Sequence, residues 1–321
     1  MRAWISAGMV GWVGSAAWAG IDPACVGLEQ PADYDEQAQA DFQANYFALA
    51  SSFSALHAPV PHEPGHGAIG VDARIMPPLS CERRFVLNWT KTEQTNKSPL
   101  IPTIRASFAF PAIAKIVVPY AGVGILPPVP LPDPENPKGA LPACDGKTPL
   151  TECKRTSRNL VLGGEIGVGV HAHEHVDVGV RAHATTMRTY GDIATAFDEA
   201  TEPSIEDIYT ASTWGIGAQL GTPWEVAGQK LTPYVGVGYL DASTFFFIGD
   251  DNYPAVNLHP YAGPEVSVGL DGLFVGHLRL AGEFYAAPGG SSLPDASAAK
   301  LEGFGRYGQI YTARARLAYE F

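Results

Sequence analysis

The feature that most limits what this chain can fold into is a two-residue period that begins near residue 66 and persists to the last residue. Ile69, Val71, Ala73 and Ile75 share one face, with Asp72 and Arg74 on the other. Ile104, Ala106, Phe108 and Phe110 oppose Arg105 and Ser107, and Val176, Val178 and Val180 oppose Asp177 and Arg181. The pattern returns with Val266, Val268 and Leu270 against Glu265, Ser267 and Asp271, and with Leu278, Leu280 and Phe284 against Arg279 and Glu283. Such alternation reads as strands with one apolar and one polar face. A soluble sandwich alternates too. Here, however, the polar face carries charges on strand after strand, as a water-lined or salt-bridged lumen would.

The connections add a second constraint, because they alternate in length. The stretches 111–114, 173–175, 224–229 and 272–276 are short, whereas 80–98, 131–159, 197–212, 250–259 and 288–308 are long. Short turns at one end and long loops at the other are the arrangement of transmembrane barrels. The expectation is an all-β, antiparallel up-and-down barrel of about ten strands over 66–321. Twelve strands is the alternative, because Phe85-Val86-Leu87-Asn88-Trp89 within 84–98 could add to the count. The 35 Gly and 27 Pro fit a single large β unit, and the net charge of −12 with no basic stripe argues against nucleic acid as a partner.

Ahead of the barrel, Arg2 is the only charge before Gly20, and the apolar stretch closes on Ala17-Trp18-Ala19. Residues 1–19 therefore read as a cleaved signal peptide, too short to span a membrane as a helix. Residues 20–65 form an N-terminal segment. In it Phe42, Tyr46, Leu49, Phe53 and Leu56 recur at helical spacing, which predicts a helix over 35–56 ended by Pro59 and Pro61. Four cysteines suit an oxidising compartment. Three pairings are possible, and the short spacing of Cys144 and Cys153 favours that pair, leaving Cys25 for Cys81.

The inward positions of the middle strands are rich in glycine, at Gly122, Gly124, Gly167, Gly169, Gly179, Gly215, Gly217, Gly236, Gly238 and Gly269. Glycine within strands is tolerated where another backbone comes close. The N-terminal helix is the candidate occupant. A helix that descends through the lumen would leave Cys25 beside the first long loop, where Cys81 lies. Pairing strands across the turn at Ala172 and Val176 sets Gly167 opposite Arg181 and Glu165 opposite His183. From this follows a predicted lumen charge network of Glu165, Arg181, Arg279, Glu283, Arg314 and Arg316.

The last strand carries the sharpest motif. Tyr311, Ala313, Ala315, Leu317, Tyr319 and Phe321 line one face, and Thr312, Arg314, Arg316 and Glu320 line the other. Ending on Phe321 after alternating apolar residues, it resembles the assembly signal of Gram-negative outer-membrane barrels, with Leu317, Tyr319 and Phe321 as the signal. The resemblance implies an outer-membrane location, contact with outer-membrane lipids and lipopolysaccharide, and recognition by the barrel-assembly machinery. The helix feeding a glycine-rich first strand is loosely similar to N-terminal-plug barrels such as the long-chain fatty-acid transporter family.

No motif in the chain demands catalysis. Gly303-Phe304-Gly305-Arg306-Tyr307-Gly308 matches a nucleotide-binding spacing, but a loop precedes it and a strand follows, the wrong context for that site. Asp250, Asp251 and His259 in one long loop do not form a recognisable protease set. His171 and His173 alternate on one strand and could ligate a metal, although histidine also suits a polar rim. The sequence thus predicts no catalytic residues, no cofactor and no metal site. It predicts a non-enzymatic barrel for transport or passage of a small solute, or alternatively a structural or interaction barrel acting through its loops.

Overall fold

A computed structural model describes residues 25–30, 32, 34, 36–75, 79–86, 91–93, 100–127, 142, 147–149, 152, 158–191, 194–196, 207–248, 253–288 and 310–321. Ten strands form the wall: β1 Gly67–Ile75, β2 Leu100–Ala109, β3 Val117–Leu126, β4 Arg158–His173, β5 Val176–Gly191, β6 Asp207–Gly221, β7 Gln229–Ile248, β8 Tyr253–Phe274, β9 Leu278–Ala287 and β10 Ile310–Glu320. Each pairs antiparallel with its neighbours in sequence, and β1 pairs with β10, so the sheet closes. Closure leaves no unpaired edge, which is the condition for a sheet to cross a bilayer. The last residue completes the seam: Phe321 N–H donates to Gly67 O and Gly67 N–H donates to Phe321 O.

Every strand puts a large aliphatic side chain on the outside. Val71, Ile104, Val123, Ile166, Val180, Ile216, Val237, Val268, Leu280 and Leu317 are all exposed, one from each strand in order. An apolar surface wrapping the whole molecule is untenable in water and is the lipid-facing band of a membrane barrel. Aromatics mark its two margins. Trp214 packs on Tyr239 and Phe284 on Tyr311 towards the long loops, and Phe108 meets Phe110 near the short turns.

Several sequence expectations change in detail. The count is the ten expected and not the alternative twelve, because Phe85–Val86 pairs with Lys91–Glu93, and that strand with Ala194–Ala196, in a separate three-stranded sheet outside the barrel. Strands β6 and β8 begin earlier than expected, at Asp207 and Tyr253, so 207–212 and 253–259 are wall rather than loop. Gly167 lies opposite Arg181 and Glu165 opposite His183. Ala172, however, bulges out between His171 and His173, so it does not face Val176.

The helix α1 spans Glu36–Ser51, five residues short of its expected end at Leu56. Local polar chemistry stops it. Ser51 and Ser52 hydroxyls donate back to the carbonyls of Ala48 and Leu49, at 3.0 and 2.7 Å. Serine in such a position competes with the helix ladder. The 16 residues of α1, about 24 Å long at ~1.5 Å each, lie inside the barrel towards the long loops. There Phe42, Tyr46 and Leu49 pack on the inward-facing Tyr209, Leu240 and Tyr261. Gln39 and Gln43 donate to the carbonyls of Glu82 and Arg83, and a disulfide joins Cys25 to Cys81. Both ends of the N-terminal segment are therefore tethered, one by the disulfide and the other by β1. Residues 1–19, Cys144 and Cys153 lie outside the described residues.

Candidate functional site: the plugged lumen

Beyond Ser51 the chain runs on as an extended segment, residues 52–62, through the middle of the lumen towards the short turns. An extended segment in a closed space cannot satisfy its own backbone, and unpaired buried peptide groups are costly. The wall supplies the partners. Arg74 donates to Ser51 O at 2.6 Å, Arg314 to Ser52 O at 2.9 Å, Arg181 to Phe53 O at 3.2 Å and Arg105 to Ser54 O at 3.0 Å. Glu283 accepts from Leu56 N–H at 3.2 Å and Asp271 from Ala58 N–H at 2.9 Å, while Gln219 donates to His57 O at 3.2 Å. Arg74 and Arg314 also place positive charge at the C-terminal end of α1, where the helix dipole favours it.

Two side chains of the segment sink into hollows that only glycine leaves open. A Cβ at Gly124 would lie 3.1 Å from the Phe53 ring, and one at Gly163 would overlap it. The same ring sits under the Arg105 guanidinium, 4.1 Å from its centroid. Cβ atoms at Gly179 and Gly221 would press on the Pro59 ring, and one at Gly169 on the Pro59 carbonyl and Val60. Gly122, Gly167, Gly215, Gly238 and Gly269 instead make room for wall side chains: Glu165, Tyr120, His183, Glu265 and Tyr234.

Arg74, Arg105, Arg181, Arg279, Arg314 and Arg316 point inward, and around the segment they meet the carboxylates of Asp72, Glu165, Glu265, Asp271, Glu283 and Glu320; Asp177 and Asp207 are buried too. Glu165 is the hub. It meets Arg105 at 2.5 Å, His57 at 3.1 Å and Arg181 at 3.3 Å. Glu265 lies 3.0 Å from His183, 3.6 Å from Arg181 and accepts from the Tyr285 hydroxyl at 3.0 Å. Nearer the short turns Arg279 grips Asp271 through two bonds, at 2.9 and 2.6 Å, and also pairs with Glu320. His62 bridges Glu320 at 2.9 Å and the Ser107 hydroxyl at 2.8 Å. A cavity of about 10 Å³ beside Arg181, Glu265 and Tyr285 has room for one water.

All six residues of the expected network are inward and buried, but they do not form one connected group. Glu165 and Arg181 form an ion pair. Arg316 turns to Asp72 and Ser107, and Arg279 to Asp271 and Glu320. Glu283 faces Arg314 in register, yet it accepts from Tyr234 and Leu56, while Arg314 holds the end of α1. Sequence reasoning missed the segment's share of the site, His57 and His62 above all. Both are buried in the lumen. His171 pairs with Asp177 at 2.8 Å, and among the described residues no group of three His, Cys, Asp or Glu could hold a metal. Leu317, Tyr319 and Phe321 face outward. Asp250 and Asp251 lie outside the described residues, as does the side chain of His259.

Closure, an apolar exterior and a charged interior define the class: a ten-stranded barrel of outer-membrane type. No family model matches the chain, and neither does any curated protein. Among solved structures it is similar to the toluene transporter TbuX of Ralstonia pickettii, at 10% identity and a TM-score of 0.33, over 85% of this chain and 96% of that one. It is also similar to the translocator domain of the autotransporter NalP from Neisseria meningitidis, at 10% identity and a TM-score of 0.41, over 79% and 88%. A third is the outer membrane protease OmpT from Escherichia coli, at 9% and 0.39, over 80% and 95%. These are likenesses of fold. They correct one expectation: an enzyme stands among the similar barrels, so the barrel fold gives no ground for reading this chain as a non-enzyme.

Proposed function

We propose that the chain is a plugged transport barrel of the Gram-negative outer membrane, in which residues 36–62 close the lumen to a small solute. The observation that carries this reading is the nature of the occupant. It is one continuous segment, tethered at both ends and held in its lower half by bonds to charged side chains that water can replace. Buried ion pairs of this kind add little to stability compared with an apolar filling. A lumen that has to rehydrate when its plug shifts has a reason to keep them.

In this reading residues 1–19 direct export, the short turns face the periplasm and the long loops face outward. The outward row Leu317, Tyr319 and Phe321 serves as the assembly signal for the barrel-assembly machinery. The aromatic margins sit among the headgroups of outer-membrane lipids and lipopolysaccharide. The layout, an N-terminal segment entering the lumen, supports a loose kinship with N-terminal-plug barrels such as the fatty-acid transporters.

The test is electrical. The native protein in a planar bilayer should be nearly silent, and reduction of the Cys25–Cys81 bond or Cys81→Ser should give discrete openings. Equal silence in all three states would favour the other reading, an interaction barrel. The ordered external sheet of 85–86, 91–93 and 194–196 is the feature that supports that alternative. Deleting Phe321 should separately lower the yield of heat-modifiable barrel in the outer membrane; unchanged yield would remove the assembly role.

A further inference from the structure

We propose that the lower lumen is a receptor for extended peptide backbone, and that peptides with small side chains are the solute class this barrel takes. The proposal rests on the transport reading and specifies its solute. What points to it is which atoms the wall reads. Seven wall side chains bond main-chain groups of the segment between Ser51 and Ala58, five carbonyls and two N–H groups, whereas polar side chains are met at two points, Ser52 by Arg314 at 3.2 Å and His57 by Glu165 at 3.1 Å. Arginine and glutamine meet the carbonyls, and carboxylates meet the N–H groups. The order of donors and acceptors is therefore that of a polypeptide. A sugar or an aromatic solute has no such repeating pair.

Side chains are selected at few points. The wall has one hollow for a ring, at Gly124 and Gly163, and a second for a proline six residues later, at Gly179 and Gly221, while Gly169 lies against the Pro59 carbonyl and Val60. Between Ser51 and Ala58 the segment carries Ser51, Ser52, Ser54, Ala55 and Ala58, whose side chains ask little room, and besides Phe53 only Leu56 and His57 are larger, His57 being held by Glu165 at 3.1 Å. The segment therefore occupies the receptor as a tethered peptide ligand. A free peptide of similar outline would compete for the same bonds once the tether loosens. Because a tethered ligand acts at millimolar effective concentration, competition should be weak in the native protein and stronger when the plug loses its own anchor.

The experiment uses the full chain, reduced at Cys25–Cys81, as native protein and as Phe53→Ala, which empties one hollow and leaves the wall intact. The probe is a labelled peptide with the sequence of residues 49–60, acetylated and amidated. Controls are the same peptide N-methylated at the positions of Leu56 and Ala58, and a malto-oligosaccharide of similar mass. Binding is read by anisotropy in detergent, and block of current in a bilayer. Saturable binding is expected, at least tenfold tighter to Phe53→Ala than to reduced native protein. N-methylation should weaken it at least tenfold, and the sugar should neither bind nor block. Equal binding of the N-methylated peptide, or no saturable binding to either protein, overturns the receptor whatever the conductance does. Binding as expected with no openings in any state overturns transport and leaves the receptor standing.

Discussion

At the long-loop end the barrel wall meets a helix; towards the short turns it meets an extended chain, and its lining changes with the occupant. A helix closes its own hydrogen bonds, so the wall around α1 can be apolar, with Tyr209, Leu240, Ala242 and Tyr261 packed on Phe42, Tyr46 and Leu49. The extended segment leaves its amides open, so the wall around it must donate and accept, and it does so with arginines and carboxylates. The same contrast governs size. The apolar half fills its volume with large side chains, whereas the charged half lets the segment approach through glycines. The chemistry of the lumen follows the secondary structure of what it holds.

Substitutions can break this comparison. Glu165→Ala should have the largest effect, because it removes the one carboxylate that Arg105, Arg181 and His57 share. A loss of about 3–5 kcal/mol is expected, measured by denaturant unfolding of the barrel folded in lipid vesicles. A change below 1 kcal/mol would mean that water already satisfies the hub. In the apolar half, Leu49→Ala should cost about 2–5 kcal/mol through the cavity it leaves. It should leave the plug seated, so that the bilayer stays silent.

Gly169→Val presses on Pro59 and should cost about 1–3 kcal/mol. Unlike Leu49→Ala, it should raise conductance, since it acts on the segment rather than on the helix. Equal conductance in the two variants would erase the functional difference between the halves. The smallest effect belongs to the exposed rim, where Lys230 holds the Glu63 carboxyl below its ordinary value by a hydrogen bond and by charge. Lys230→Met should cost at most about 1 kcal/mol near neutral pH. A depressed carboxyl stabilises above its unfolded value and loses that contribution as pH falls through the folded one. The gap between native and variant should therefore close in acid, and a gap that widened there would invert the assignment.

Much of the wall was legible because its physics is local. Alternation fixes which face of each strand is apolar, and short turns fix the pairing of neighbours, so Glu165 could be set opposite His183 without coordinates. The inward glycines pointed to an occupant only in part: Gly124, Gly169 and Gly179 meet the segment, whereas Gly122, Gly167, Gly215, Gly238 and Gly269 house wall side chains. What the sequence could not show was how the occupant changes form. The helical spacing of Phe53 and Leu56 continues past Ser51, but Arg74 and Arg314, from strands at the two sides of the barrel seam, take the terminal carbonyls. Leu56 then holds a φ of 51°, a left-handed conformation that its surroundings must sustain. The partners of each buried charge were equally hidden. Glu283 and Arg314 face each other in register, yet each binds the plug instead. The sequence by itself determined the barrel and its faces, because period and turn length act between neighbours. Only the tertiary structure decided which charge meets which amide, because those partners lie up to 265 residues apart and meet only once the sheet has closed around the segment.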